Sequence, residues 1–233
     1  MKGLVFDKDG TLFDFNATWG PYAKQLLIEL ARDDDHLAAL AALMGVKIDE
    51  ERFTAESVFI AETAKVWTAL LVPHLDISQD TLFALVSEKA KAVPQVPVTD
   101  LFPYLSGLRD QGYVLGIATN DTEGPARAHL AAHGILDLFD FIAGADSGYG
   151  AKPEAGQLAA FCERTGLAAK DCVMIGDSLH DLHAGQKAGM TPVAVLTGPM
   201  PRHVLAPHAA TVLETIVDLP DWLSSSRPCT RPE

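Results

Sequence analysis

Short apolar runs alternate with segments of helical periodicity from about residue 98 onward. The apolar runs cover residues 114–118, 141–143, 172–175 and 192–196. Helical segments lie between them, at residues 122–133, 154–164 and 182–188. Strands that alternate with helices in this way are typical of a parallel sheet covered by helices on both faces. The sequence therefore predicts an α/β fold with a doubly wound parallel sheet.

A further strand is predicted at the N-terminus, where Leu4-Val5-Phe6 is apolar without alternation. Such a run is typical of a strand buried on both faces, as in a parallel sheet. The residues that follow this strand show the apolar periodicity of helices up to residues 93–98. The closely spaced prolines there end the helical region. We therefore expect the first strand to join the later sheet across a helical insertion.

The predicted domains follow from this division. Residues 1–15 and 98–223 form the core, residues 16–97 form an all-helical inserted domain, and residues 224–233 lack apolar anchors and are expected to be a mobile tail. Four apolar stripes predict the helices of the insertion, the third of them formed by Val58, Ala61, Val66, Trp67 and Leu70.

Composition excludes several classes of protein. The 233 residues carry a formal net charge of −13, which would repel a nucleic acid backbone. The N-terminus lacks the features of a secretory signal, and the richest apolar stretch, residues 37–46, is too short to span a bilayer. The three cysteines lack the spacing of a zinc site or a disulfide framework. We expect a cytoplasmic protein that binds neither nucleic acid nor membranes.

Polar side chains recur where the predicted strands end. They are Asp7 and Asp9, Thr119 and Asn120, Lys152, and Asp177 with Asp181. Because the carboxyl ends of parallel strands share one edge of the sheet, we expect these side chains to meet in one cleft. The set combines carboxylates, a hydroxyl, an amide and an ammonium group, which is the composition that phosphoryl transfer needs.

The chemistry of the acids suggests a division of roles. Carboxylates are hard oxygen ligands that suit Mg²⁺, so Asp7, Asp9 and Asp177 are predicted ligands, with Asp181 binding directly or through water. A carboxylate can attack phosphorus to form an aspartyl phosphate, and Asp9, two residues after Asp7, can act as acid and base. Thr119 or Asn120 can donate hydrogen bonds to phosphate oxygens, and Lys152 adds positive charge.

Four segments together resemble the motifs of the haloacid dehalogenase superfamily. They are Asp7-Lys8-Asp9-Gly10-Thr11-Leu12, Ala118-Thr119-Asn120, Lys152-Pro153 and Gly176-Asp177-Ser178-Leu179-His180-Asp181, in this order. The resemblance implies a Rossmann-like core, Mg²⁺ dependence, an aspartate nucleophile and a helical cap inserted after the first motif. Residues 176–190 are especially similar to phosphoglycolate phosphatase-like members. Glu154-Ala155 departs from the family where relatives often carry a second proline.

The predicted function is a Mg²⁺-dependent phosphatase that hydrolyses a small phosphorylated metabolite, with 2-phosphoglycolate as the first candidate. Asp7 and Asp9 are the predicted catalytic residues, and Thr119, Asn120 and Lys152 the predicted phosphate-binding residues. A phosphomutase and a sugar-phosphate phosphatase remain alternatives within the superfamily. A phospho-accepting receiver domain is a rival from another class, but its acceptor follows a later strand and no large helical insertion follows its first strand.

Other residues are predicted to have secondary roles. His180 and His183 flank Asp181 but are expected to stay outside the metal site, because Mg²⁺ prefers oxygen ligands. Trp19 is expected to pack in the core or to touch substrate. The insertion holds seven Lys and Arg against twelve Asp and Glu, so anion recognition there would be local. Lys47 and Arg52, in the break between two helices, are predicted to reach the cleft and lower the KM for an anionic substrate.

Overall fold

A computed structural model describes residues 1–54 and 56–225 of the chain. The strands are β1 Gly3–Phe6, β2 Val46–Lys47, β3 Arg52–Phe53, β4 Val114–Ala118, β5 Phe141–Ala143, β6 Cys172–Gly176, β7 Thr191–Val195 and β8 Thr211–Leu213. Six of them form a sheet in the order β5-β4-β1-β6-β7-β8, and every pairing in it is parallel. The predicted α/β, doubly wound fold is therefore confirmed.

Eleven α-helices are present in the described part of the chain. They are α1 Phe15–Leu30, α2 Asp34–Met44, α3 Val58–Ala61, α4 Ala64–Leu71, α5 Gln79–Lys91, α6 Leu101–Asp110, α7 Glu123–Ala132, α8 Gly156–Thr165, α9 Leu179–Ala188, α10 Arg202–Leu205 and α11 Leu219–Ser225. Short 3₁₀ helices cover Val72–His74, Leu136–Leu138, Ala169–Asp171, Ala206–His208 and Ile216–Asp218. No helix in the described ranges is long and apolar enough to cross a membrane.

Strand β1 lies at the centre of the sheet, between β4 and β6. Its side chains are apolar in succession, so both of its faces can be buried. Leu4 and Phe6 pack into the main hydrophobic cluster, whereas Val5 packs on the opposite face against a second cluster. The N-terminal strand thus joins the later sheet, as the sequence predicts, and its last residue leads the chain directly into the acidic motif.

The cap, which we define as the inserted residues 16–97, has its own hydrophobic cluster built around Leu26, Met44, Trp67 and Leu82. Phe15, at the start of α1, also packs into this cluster, whereas Phe13 packs into the core of the sheet domain. Two segments connect the core to the cap, one before α1 and one after α5. They run side by side, since the Asp14 amide donates to the Val96 carbonyl at 2.8 Å. The boundaries at 15/16 and 97/98 stay a prediction.

The cap is not entirely helical. Strands β2 and β3 form an antiparallel hairpin in which Val46 pairs with Phe53, and both side chains are buried. The residue that ends α2, Gly45, has a φ of 66°, a conformation that redirects the chain at little cost only for glycine. A two-residue strand is too short to give a sequence signal, which is why this break reads as an ordinary loop.

The third predicted stripe proves to be two helices rather than one. Helices α3 and α4 are separated at Glu62 and Thr63, and Val66 and Leu70 are exposed on the outer surface of α4. The sequence prediction also omits β8 and α6. Residues 226–233 of the predicted mobile tail lie outside the described residues, whereas Ser224 and Ser225 belong to α11.

Candidate active site

The first acidic motif leaves the sheet through a tight turn. The Asp7 amide donates to the Ile175 carbonyl at 2.8 Å, which extends the pairing of β1 with β6 by one residue. Gly10 then has a φ of 81°, and a Cβ atom there would lie 2.4 Å from the Asp177 carboxylate. Glycine is therefore required for both the turn and the close approach of the two acidic segments.

Three carboxylates meet where β1 and β6 end. Asp7, Asp177 and Asp181 are buried, and each offers an oxygen within 4.8 Å of those offered by the other two. Burial raises the pKa of Asp7 to about 7, against the opposing effect of Lys152 and with a contribution from Asp181. Burial and the neighbouring Asp181 and Asp7 charges also raise the pKa of Asp177 well above its ordinary value.

Lys152 is the cation in contact with this cluster. Its Nζ atom donates to Asp7 Oδ1 at 2.7 Å and to Asp181 Oδ1 at 2.5 Å. Burial alone would lower the pKa of Lys152, but the charges of Asp181 and Asp7 raise it, so the ammonium form persists. One ammonium cannot neutralise three buried carboxylates. The oxygen-only donor set and its excess negative charge fit a hard divalent cation.

Asp181 turns back toward the cluster because it belongs to the first turn of α9. The Ser178 amide donates to Asp181 Oδ2 at 3.0 Å and the Asp181 amide donates to the Ser178 hydroxyl oxygen at 3.4 Å, which together form a capping box. The Ser178 hydroxyl also donates to Asp181 Oδ2 at 2.7 Å. Its other oxygen accepts from Lys152. A Cβ atom at Gly176 would lie 2.3 Å from the Asp181 side chain, so glycine makes room for it.

The Asp9 carboxylate lies outside the three-carboxylate cluster. Its Oδ1 atom accepts hydrogen bonds from Lys8 Nζ and from Trp19 Nε1, both at 2.7 Å. The sequence prediction that the Asp9 side chain belongs with the metal ligands is therefore not supported by its position. A lysine and an indole N–H hold this carboxylate beside the cluster, where it faces the same cleft.

Lys8 is a buried residue that the sequence reasoning missed. Besides Asp9, its Nζ atom lies 3.4 Å from an Asp121 oxygen, an ion-pair distance, and 3.3 Å from His129 Nδ1. Burial opposes the charged form, but Asp9 and Asp121 outweigh it and raise the pKa of Lys8. One sequence signal could have identified Lys8: it is a lysine between two acidic residues, directly after a buried strand.

His129 connects this lysine to the cap. His129 Nε2 lies 2.7 Å from the Ala90 carbonyl, which can only accept, so Nε2 carries the proton and Nδ1 accepts from Lys8. Burial, with the Lys8 charge, lowers the pKa of His129 to about 4, in agreement with a neutral ring. Ala90 belongs to α5 of the cap, so the Lys8 group links both parts of the molecule.

Asn120 and Thr119 occupy the loop after β4. The Asn120 side chain holds the backbone of Lys152, donating to its carbonyl at 3.0 Å and accepting from its amide at 2.8 Å. Thr119 is buried and its hydroxyl oxygen accepts from the Asp121 amide at 3.1 Å. The Asn120 amide thus positions Lys152, a role distinct from the predicted hydrogen bond to phosphate.

All seven predicted site residues line one cleft between core and cap, with a volume of about 840 Å³ including its open mouth. Apolar and aromatic side chains of the same cleft form what we call the apolar wall: Phe15, Trp19, Tyr22, Phe59, Ile60, Trp67 and Val86. His180 also lines the cleft, with Nδ1 3.1 Å from the Lys152 carbonyl. His183 instead contacts His208, so neither histidine joins the carboxylate cluster.

Lys47 and Arg52 lie away from the cleft, so the prediction that they enter it is wrong. Both are carried by the β2–β3 hairpin, and Lys47 Nζ pairs with Glu50 at 3.3 Å. We therefore expect Lys47→Ala and Arg52→Ala to leave the KM for any substrate within about twofold of the parent value, because such surface changes are close to neutral. A KM raised tenfold in steady-state assays would contradict this placement.

Comparison with known proteins shows the family of the chain. The family model of haloacid dehalogenase-like hydrolases matches residues 1–189. The chain is 33% identical to a phosphoglycolate phosphatase of Rhodospirillum rubrum, over 97% of this chain and 92% of the relative. It is 27% identical to the solved structure of a HAD phosphatase from Thermococcus onnurineus, with a TM-score of 0.65 over 98% of this chain and all of that one.

A HAD family hydrolase from Deinococcus radiodurans shares the fold, with a TM-score of 0.66 at 21% identity over 97% of this chain and 96% of that one. The family model spans most of the chain, from before the first acidic motif to beyond the segment that carries Asp177 and Asp181. The resemblance seen in the four sequence motifs is confirmed. The chain is an enzyme that belongs to the haloacid dehalogenase-like hydrolases.

Proposed function

We propose that this enzyme is a Mg²⁺-dependent phosphatase that hydrolyses a small phosphomonoester through an aspartyl phosphate on Asp7. The observation that carries the proposal is the cluster of Asp7, Asp177 and Asp181 around the Lys152 ammonium at the floor of the cleft. Because the Rhodospirillum rubrum relative is named a phosphoglycolate phosphatase, 2-phosphoglycolate is the first compound to assay.

Asp7, Asp177 and Asp181 would hold the metal ion, since these carboxylates offer oxygens within 4.8 Å of one another. Bound there, Mg²⁺ would offset the negative charge of the carboxylates and of a phosphoryl group. Lys152, fixed by Asp7 and Asp181, would contribute a second positive charge at the same place. A phosphate dianion would otherwise be repelled by this group of acids.

Asp7 would act as the nucleophile. Its carboxylate attacks phosphorus, the bond from phosphorus to the ester oxygen breaks, and an acyl phosphate forms on Asp7. The hydrogen bond from Lys152 at 2.7 Å fixes the orientation of this carboxylate before the attack. Its position in the turn between a central strand and Gly10 gives it little freedom to move.

Asp9 would move the protons. In the first step it donates a proton to the departing alcohol oxygen, and in the second it takes one from the water that hydrolyses the acyl phosphate. Lys8 Nζ, in the core, lies 2.7 Å from each Asp9 oxygen, and Trp19 Nε1, in the cap, donates to Asp9 Oδ1. This arrangement keeps Asp9 in the same cleft as Asp7 but outside the cluster of Asp7, Asp177 and Asp181.

The test of this function is release of inorganic phosphate from a panel of phosphomonoesters, with and without Mg²⁺. We expect turnover with Mg²⁺ and its loss in EDTA, restored when excess Mg²⁺ is added back. Transfer of phosphate between two positions of a sugar, without release, would instead identify a phosphomutase. Stable phosphorylation without turnover would favour the receiver-type alternative, and no reaction with any ester would refute the proposal.

Metal binding has a second expected consequence, in stability rather than activity. Because burial raises the pKa of Asp7 from 3.8 to about 7, this carboxyl binds more protons in the folded protein without metal than in the unfolded chain between these pH values. The contribution of Asp7 to stability should therefore fall as the pH rises from about 4 to about 7. Mg²⁺ and protons compete for the same carboxylates, so Mg²⁺ should raise Tm more at pH 8 than at pH 5.

The measurement is a thermal unfolding series at both pH values, with NaCl of equal ionic strength as the control for screening. Equal rises in Tm at pH 5 and pH 8, or an equal effect of NaCl, would contradict a metal site formed by these carboxylates.

A further inference from the structure

The apolar wall lines the same cleft as the acidic cluster and has a fixed shape. The Phe59 and Trp67 rings lie 4.7 Å apart, and Phe59 also contacts Phe53, which packs edge-on against Phe15. Trp67 and Phe15 are each only 6% exposed. Rings held by this many neighbours cannot turn aside to admit a polar group without loss of packing. The wall is therefore a preformed apolar surface.

The polar atoms of the wall are already engaged within the protein. The Tyr22 hydroxyl donates to the Val86 carbonyl at 3.2 Å, and Trp19 Nε1 donates to Asp9 at 2.7 Å. Both groups thus present mainly the faces and edges of their rings to the cleft. The surface that the wall itself offers to a ligand is therefore hydrocarbon and aromatic. The polar groups that the described cap residues add to the cleft lining are the Ser87 hydroxyl, which has no hydrogen-bond partner, and the Glu62 carboxylate.

The charges near the wall are negative. Among the described residues that line the cleft, Lys152 is the one lysine, no arginine is present, and that lysine lies at the carboxylate cluster. Glu62 and Asp121 line the cleft in addition to Asp9. Lys8 is completely buried and pairs with Asp9 and Asp121, so it does not offer its charge to the cleft.

We infer that the alcohol part of the substrate is uncharged and apolar, with an aromatic or branched alkyl group that packs against Phe59 and Trp67. This inference rests on the proposed phosphatase activity and narrows its substrate class. A carboxylate in place of that group, as in 2-phosphoglycolate, would lose water and face hydrocarbon and acidic side chains. Burying an unpaired carboxylate in this way is unfavourable, whereas burying an apolar group is favourable.

The experiment compares benzyl phosphate with 2-phosphoglycolate, using the full chain with Mg²⁺. Both are esters of primary alcohols, so the comparison exchanges mainly a phenyl group for a carboxylate. We expect kcat/KM to be at least about tenfold higher for benzyl phosphate, the scale on which apolar pockets discriminate. Equal values, or a preference for 2-phosphoglycolate, would overturn the inference. A preference for phosphocholine over benzyl phosphate would also overturn it, in favour of a cationic group among the rings.

A pair of variants tests the wall itself. Ile60→Lys places an ammonium in the wall, and Leu70→Lys adds the same charge on the exposed face of α4, outside the cleft. We expect Ile60→Lys to raise the KM for benzyl phosphate and lower that for 2-phosphoglycolate, changing their kcat/KM ratio at least about tenfold. Leu70→Lys should leave the ratio unchanged. An equal change in both variants would contradict a local effect of the wall.

The two proposals fail in different ways. p-Nitrophenyl phosphate, whose leaving group is activated, reports the hydrolytic chemistry with little demand on the wall. Turnover of this compound without the expected preference for benzyl phosphate would refute the inference and leave the phosphatase proposal intact. No turnover of any phosphomonoester, including this one, would refute the phosphatase proposal itself.

Discussion

Replacing Asp7 by asparagine should reduce kcat for phosphate release by at least about 10⁴-fold, the scale of loss when a covalent nucleophile is removed. The asparagine side chain would keep the shape of the aspartate but could not form an acyl phosphate. The fold should survive, because Asp7→Asn removes a buried charge at a position where burial raises the pKa to about 7. The amide oxygen can still accept from Lys152.

The control for this variant is Asp137→Asn, an exposed aspartate of the core domain, which should keep full activity. Because Asp7 is also a proposed metal ligand, loss of activity alone would not identify the nucleophile. Acid quenching of the parent enzyme during turnover should therefore trap one phosphoryl group on Asp7, detectable by the mass of its peptide. Normal turnover by Asp7→Asn with Mg²⁺ would show that the mechanism is wrong.

Lys8→Met should have the largest effect on stability, lowering the free energy of unfolding by about 3–5 kcal/mol. Methionine fills a similar volume, so the main loss is the charge. Lys8 is completely buried, and its removal would leave the carboxylates of Asp9 and Asp121 without the ammonium that pairs with them. A carboxylate left without its ammonium partner in such a place is costly.

The same change should lower kcat at least about tenfold, since Asp9 would lose one of the two groups that hold it and proton transfer depends on its position. Lys24→Met is the matched control, because Lys24 pairs with Glu51 at 2.8 Å on the surface. That change should cost no more than about 1 kcal/mol and leave kcat unchanged. Equal loss of stability in the two variants would contradict the special role of Lys8.

A stability effect and a positioning effect can be separated by temperature. If Lys8 acts on Asp9, Lys8→Met should remain slow at a temperature well below its lowered Tm, where the protein is fully folded. Recovery of the parent kcat on cooling would show that Lys8 serves the fold alone.

Much of the core was readable from the sequence because its signals are local. A run such as Leu4-Val5-Phe6 indicates a strand buried on both faces, and the acids that follow it must lie at the edge of the sheet. The order of the four motifs then brings Asp7, Thr119, Lys152 and Asp177 to one cleft. Strand β8 was missed because its three residues are only partly buried and lack a clear apolar pattern.

The site was less predictable wherever a side chain had a choice of partners. Asp9 and Asp7 look equivalent in the sequence, yet Asp9 binds Lys8 and Trp19. Asn120 is predicted to bind phosphate, and its side chain also holds the Lys152 backbone. Lys8 and Trp19 are near Asp9 in the chain, whereas Lys152 comes from another segment than Asn120. In both cases, spacing within a motif does not show which group a side chain contacts.

The cap illustrates the same limit. Apolar periodicity predicted a helical insertion, but it could not show which apolar residues would turn toward the cleft. Trp67 became part of the apolar wall, whereas Val66 and Leu70, from the same predicted stripe, face solvent. Phe59, which was not in that stripe, also became part of the wall. Lys47 and Arg52 lie outside the cleft because the β2–β3 hairpin carries them away from it.

The sequence by itself therefore determined the parallel sheet, the insertion and the family, because strand and helix periods and the order of motifs are properties of the chain alone. The tertiary structure decided how the acids divide into a carboxylate cluster and a lysine-bound Asp9. It also decided that the cleft presents aromatic side chains, and not cations, to the part of a substrate beyond its phosphate. Asp9 finds Lys8 and Trp19 close by in the chain, but periodicity does not show which way these side chains turn. The carboxylate cluster and the cleft lining depend on contacts between residues far apart in the chain, and only folding creates them.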